Sequence, residues 1–151
     1  MALKIGSIVE IATKNGLGYA QYTHKHKEYG ELIRVIPGFY KSRPQNLDLL
    51  VNHPTQFATF FPLGVAIRRK IFPTIGVCPV PEFAEKFPIF KTGHYDETVG
   101  KITVWFLWDG EKDWRVSELT DEQKNYPMRG IINVAALIDH IEKGWTPRDR
   151  C

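Results

Sequence analysis

The sequence predicts a β-rich α+β fold: a curved, mostly antiparallel sheet or partly open barrel, covered by a C-terminal helix. Three observations carry this. Short apolar–polar alternations bounded by turn residues recur from Ser7 to Ile36. The run Lys101-Ile-Thr-Val-Trp-Phe-Leu-Trp108 is apolar on both faces, as a central strand is. Val134 to Lys143 repeats its apolar residues at helical spacing.

Ser7 to Thr13 alternates through Ile8, Val9, Glu10 and Ile11 and reads as a strand. Lys14-Asn15-Gly16 is a turn, because Asn and Gly accept positive φ. Leu17 to Thr23 returns as a second strand, and Gly18 inside it marks a bulge or a close backbone approach. The polar stretch Thr23 to Glu28 is expected to be an exposed hairpin tip. Glu31 to Ile36 is a third strand, ended by Pro37-Gly38. Pro37, Pro44 and Pro54 make residues 37–56 irregular, with a helical turn at Leu47 to Val51.

Phe57 to Leu63 reads as a strand, Gly64 to Lys70 as one or two helical turns, and Ile71 to Val77 as extended chain. Pro79, Pro81 and Pro88 make residues 78–91 a surface crossing. After the central strand, Asp109-Gly110 turns the chain and Trp114-Arg115-Val116 returns beside it. Thr120 and Gln123 have capping-box spacing, for a short helix that stops before Pro127. Asn133 is a good N-cap, and Val134, Leu137, Ile138 and Ile141 form one stripe. Gly144 and Pro147 end that helix. Trp105 and Trp108 differ by three, so they face opposite sides of a regular strand. One is expected to face the helix stripe and the other to lie nearer the surface.

The 151 residues show no repeat and no interdomain linker, so residues 1–151 are read as one domain. Apolar residues make up 43% and charged residues 25%, ordinary values for a globular chain. The net charge of +3 is too small to argue for nucleic acid. Its distribution is uneven: residues 1–75 carry 10 Lys and Arg against 4 Asp and Glu, and residues 76–151 carry 10 against 13. That asymmetry suits a basic face meeting an acidic partner. The two cysteines, Cys78 and Cys151, provide no disulfide framework and fit a reducing compartment. The N-terminal residues lack a signal-peptide core, and no apolar run is long enough to span a membrane. The cytoplasm is the expected compartment.

Candidate chemistry is sparse. His24 and His26 alternate along a strand and could share a metal, but the nearest sequence supplies no third ligand, so no metal and no cofactor is expected. Cys78 sits between Val77 and Pro79, an apolar setting that dulls a thiol. No nucleophile elbow, P-loop or dinucleotide fingerprint occurs. No catalytic residue is assigned, and a binding protein is expected rather than an enzyme. Aromatic and basic residues interleave from Tyr19 to Arg43, which suits a protein interface or, on a small barrel, single-stranded nucleic acid.

The segments Gly6-Ser-Ile-Val-Glu-Ile11, Gly18-Tyr-Ala-Gln-Tyr22 and Ile33-Arg-Val35 resemble the opening three strands of the family called immunity protein twenty-six. Phe60-Phe-Pro-Leu63, Trp108-Asp-Gly-Glu111 and Trp114-Arg-Val116 are similar to it as well. These are small antidote proteins of bacterial polymorphic-toxin systems. The resemblance implies a cytosolic protein that binds and blocks a toxin domain. The family is also similar to a small hydrolase described as a phosphotriesterase, but no metal-ligand set carries over residue by residue. Many nuclease inhibitors imitate DNA with acidic surfaces, and the basic first half of this chain departs from that. The reading is therefore an immunity-type binding protein. The alternatives are a small metal-dependent phosphoester hydrolase and a nucleic-acid-binding small barrel. The expected binding face is the edge formed by the second and third strands, near Gln21, Tyr22, His24, His26 and Arg34.

Overall fold

The computed structural model describes residues 2–151. They form two compact units, one running to Lys86 and completed by Gly130–Trp145, the other made of Phe87–Arg129 and Thr146–Cys151. Each holds one antiparallel sheet, and neither sheet closes into a barrel. The fold class is therefore β-rich α+β, with open sheets and a C-terminal helix.

In the first unit the strands are β1 (Ser7–Thr13), β2 (Gly16–His26), β3 (Gly30–Tyr40), β4 (Phe57–Phe60) and β5 (Thr74–Val77), in the order β4-β3-β2-β1-β5. The helices are α1 (Leu47–Val51), α2 (Leu63–Arg68) and α3 (Val134–Lys143). The β1–β2 turn is tied by Thr13, whose hydroxyl donates to the Gly16 carbonyl at 2.7 Å and accepts from the Asn15 amide at 3.1 Å.

β3 does not end at Pro37-Gly38. Leu17 pairs with Tyr40 and Tyr19 with Ile36, so two steps along β2 face four along β3. The surplus residues form a bulge that places Pro37, which has no N–H, off the ladder, and Gly38 at φ +105°. A second irregularity, between Tyr22 and His24, keeps β2 paired as far as His26. The expected loop from Thr23 is thus mostly strand.

Strand alternation buries both faces. Val9, Ile11, Ala20, Tyr22, Ile33 and Val35 share a core with Phe57, with Leu63 and Ala66 of α2, and with Leu137 and Ile141 of α3. Ile8, Tyr19 and Ile36 pack on the other face with Leu50 and Val51 of α1 and with Cys78. The stripe of α3 docks as its spacing implies. Asn133 Oδ1 accepts from the Ala136 amide at 2.8 Å, and Gly144 ends the helix at φ +64°. Gly18 supplies the close approach: a Cβ there would sit 3.3 Å from Ile141 Cγ2.

The second unit is a three-stranded sheet, β6 (Phe90–Asp96), β7 (Lys101–Trp108) and β8 (Asp113–Val116), with β7 in the middle. β6 carries no apolar alternation through Lys91-Thr92-Gly93-His94, so nothing local announces it. Gly93 lies opposite Trp105, and a Cβ there would come within 2.8 Å of two Ile102 atoms, so the neighbouring strand dictates the residue. Trp105 and Trp108 are both buried. Trp108 packs on Phe87 and Phe90 with the Arg129 guanidinium 4.2 Å from its ring centre. Neither Trp belongs to the cluster that receives the α3 stripe, and neither is a surface candidate, which corrects the expectation for this pair. Thr120 and Gln123 do exchange capping bonds, around a single 3₁₀ turn at Gln123–Asn125. Among the described residues, no helix is long and apolar enough to cross a membrane.

Leu137 is 0% exposed. Leu137→Ala is expected to lower unfolding stability by about 2–5 kcal/mol in a urea melt, through lost burial and an unfilled cavity. A loss below about 0.5 kcal/mol would show that α3 does not anchor the sheet.

The His140 ring centre lies 4.4 Å from that of Trp145, tilted over it, and 5.7 Å from that of Phe57, edge-on, and burial holds its pKa below the ordinary value. The unfolded chain therefore binds this proton more readily than the folded one. Stability is full above the unfolded pKa of about 6.5 and falls as pH drops through that value toward the lower folded pKa. Melting temperatures between about pH 7 and 5 should fall more for wild type than for His140→Gln.

Candidate functional site

Gln21 is 0%, Arg34 1% and Tyr22 6% exposed, so these three expected contact residues offer almost no surface to a partner. Gln21 and Arg34 lie opposite each other on β2 and β3 and work as a unit. The Arg34 guanidinium donates to Gln21 Oε1 at 3.1 Å, to the His53 carbonyl and Thr55 Oγ1 at 3.2 Å each, and to the Val51 carbonyl. Gln21 Nε2 donates to the Cys78 carbonyl at 2.9 Å. The Phe83 ring lies 5.3 Å from the guanidinium carbon. None of these partners is a carboxylate, and burial pulls the Arg34 pKa down to about 10.

His24 and His26 are half-buried and hydrogen-bonded. The His24 ring nitrogens lie 2.9 Å from Thr23 Oγ1 and 2.6 Å from the Glu85 carbonyl. His26 Nδ1 accepts from the amides of Glu28 and Tyr29 at 3.1 and 3.2 Å and so shapes the β2–β3 turn. Among the described residues, no three His, Cys, Asp or Glu side chains gather as a cation site. Burial pushes the Cys78 thiol pKa up, and a bond to Asp48 adds to the shift. Of the interleaved aromatic and basic residues, Tyr19, Tyr22 and Arg34 are interior, and Arg43 is paired with Glu10 at 2.9 and 3.1 Å.

What reaches the surface beside Tyr22 is a cleft of about 390 Å³. β2 contributes Tyr22 and Lys25, β3 contributes Glu31, α2 contributes Gly64, Ile67 and Arg68, and Leu3 completes the wall. Glu31 Oε1 accepts from the Gly64 amide at 2.7 Å and ties the first turn of α2 to β3. A Cβ there would stand 3.0 Å from Glu31 Oε1 and 3.3 Å from Arg68 Nη1, so a larger residue would press on the two charged side chains that flank the amide. Burial raises the pKa of the Tyr22 hydroxyl, and the Glu31 charge raises it further, so it stays protonated.

The cleft thus combines two cations, one carboxylate already engaged, a phenol and two apolar side chains. Arg68 runs into exposed Arg69 and Lys70 at the C-terminal end of α2, where the helix dipole favours positive charge. This arrangement can receive an anionic group that carries an apolar stem. Of the expected residues it includes only Tyr22. Arg68-Arg69-Lys70 is a visible basic run in the sequence, but its meeting with Lys25 and Glu31 is a tertiary event.

Comparison of the chain with protein-family models, curated proteins and solved structures returns no match.

The Arg34 clamp has a measurable consequence. Arg34→Met should destabilise the fold by at least about 2 kcal/mol in a denaturant melt, because it strands several buried acceptors. Arg34→Lys keeps the charge but lacks the fork that spans those acceptors, and should recover less than half of the loss.

Proposed function

We propose that this chain is an immunity-type binding protein that neutralises a bacterial toxin domain in the cytoplasm by direct contact, with an acidic segment of the partner seated in the Lys25–Arg68 cleft. The observation that carries the reading is the cleft itself. Lys25 and Arg68 line it, Leu3 and Ile67 supply apolar contact, and Arg69 and Lys70 extend the positive charge along the surface. The first unit has 12 Lys and Arg against 8 Asp and Glu, so its charge is +4. A positive surface with recessed apolar contacts steers and then holds an acidic protein partner. The resemblance of Gly6–Ile11, Gly18–Tyr22 and Ile33–Val35 to the immunity family supports a toxin as that partner.

The test takes its partner from the gene's neighbourhood: any toxin-like reading frame found there is expressed together with this chain. Co-expression should protect cells, and the purified pair should associate. The double variant Lys25→Glu/Arg68→Glu should weaken binding at least about tenfold at 0.1 M salt, mainly through slower association, and leave the melting temperature unchanged. Wild-type affinity in that stable variant would place the interface elsewhere. Turnover of a phosphotriester by the purified protein, with no partner bound, would overturn the binding reading in favour of a hydrolase.

A further inference from the structure

The second unit buries a lysine whose chemistry is independent of the binding reading. Lys91 is 0% exposed. Its ammonium donates to the Lys124 and Pro147 carbonyls at 2.7 Å each and lies 3.2 Å from Cys151 Sγ. The Trp105 ring centre is 5.5 Å away. None of these partners is a carboxylate, and burial lowers the lysine's pKa, so the neutral, nucleophilic amine is reached more easily than at a surface lysine. Cys151 is exposed and, with Trp105 and Lys124, lines an open cleft of about 410 Å³. A small oxidant can therefore reach Sγ from the solvent side while the amine waits behind it.

We propose that Lys91 and Cys151 form a covalent modification site, in which a peroxide oxidises the Cys151 thiol and the Lys91 amine then bonds to the sulfur. In the first step the sulfur lone pair attacks one peroxide oxygen and the O–O bond breaks. The thiol becomes a sulfenic acid, oxidised by two electrons, and the peroxide is reduced to water. In the second step the Lys91 nitrogen attacks Sγ, the N–S bond forms and the S–O bond breaks. The hydroxyl leaves with an amine proton as a second water, and no further electrons move. The product is a sulfenamide linking β6 to the Thr146–Cys151 segment. Two equivalents of a small thiol reverse it, restoring thiol and amine and forming that thiol's disulfide. The two carbonyls that grip Lys91 hold the nitrogen in place for the second step, before the sulfenic acid is oxidised further.

The test uses the full chain with Cys78→Ser, which removes the competing thiol, treated with increasing hydrogen peroxide and followed by intact mass and tryptic mapping. The expected product is about 2 Da lighter than the reduced protein, resists trypsin after Lys91, contains a peptide joined through Lys91 and Cys151, and reverts with dithiothreitol. Lys91→Arg keeps a buried cation but no amine, and there Cys151 should pass to sulfinic and sulfonic acids with no joined peptide. The proposal is overturned if folded Cys78→Ser protein follows that same course. It is also overturned if the joined peptide forms equally in urea, since the link would then owe nothing to the fold.

Discussion

A guanidinium sealed inside the first unit sets terms that much of that unit must satisfy. Arg34 cannot reach water and meets no carboxylate, so its charge has to be spread over dipoles. Gln21 on the neighbouring strand supplies one acceptor, and Val51 at the end of α1, with His53 and Thr55 just after it, supplies the others. Through Gln21 the network continues to the Cys78 carbonyl beyond β5. Sheet register, the path of the chain out of α1 and the crossing after β5 are thereby tied to one side chain. A buried charge held this way contributes specificity more surely than stability, because few alternative chain paths present the same acceptors.

That interior commitment decides which side chains stay at the surface. β2 and β3 are buried on both faces, so the residues that make them look like a binding edge are spent on the core and the clamp. The charged side chains left exposed stand where the strands run out and α2 crosses them. Glu31 is the hinge of that arrangement: its bond to the Gly64 amide fixes α2, and α2 brings Arg68 opposite Lys25. Cations placed at this rim remain solvated, so they cost little in the free protein and act through long-range attraction, whereas the Arg34 charge is confined to the fold.

The second unit repeats the theme with a lysine. Lys91 is also buried among carbonyls without a carboxylate, but its third partner is a thiol open to solvent. Arginine keeps its proton in almost any protein setting, and its clamp is chemically inert. Lysine loses its proton when desolvation is strong enough, and then becomes a nucleophile. The two buried cations therefore serve different ends: one organises the chain around it, and the other brings an amine to an oxidisable sulfur.

Local sequence determined the elements whose signals are local. The β1–β2 turn follows from Asn15-Gly16, β7 from its apolar run, and α3 from Asn133, its stripe and Gly144, because backbone preference, periodicity and caps act over a few residues. The passage of β3 through Pro37-Gly38 and the existence of β6 were not legible. A bulge and a strand of mixed polarity are stabilised by their neighbours in the sheet, as Gly93 is by Ile102 and Trp105. For the site, the sequence showed the basic first half and singled out Tyr22, but it could not show which polar residues turn inward. Gln21 and Arg34 went to the core because cross-strand pairing let each satisfy the other, while Lys25, Glu31 and Arg68 became neighbours because α2 folds back on the β2–β3 hairpin. Which charges are buried, and which stay at the surface, was decided only when distant parts of the chain supplied the acceptors.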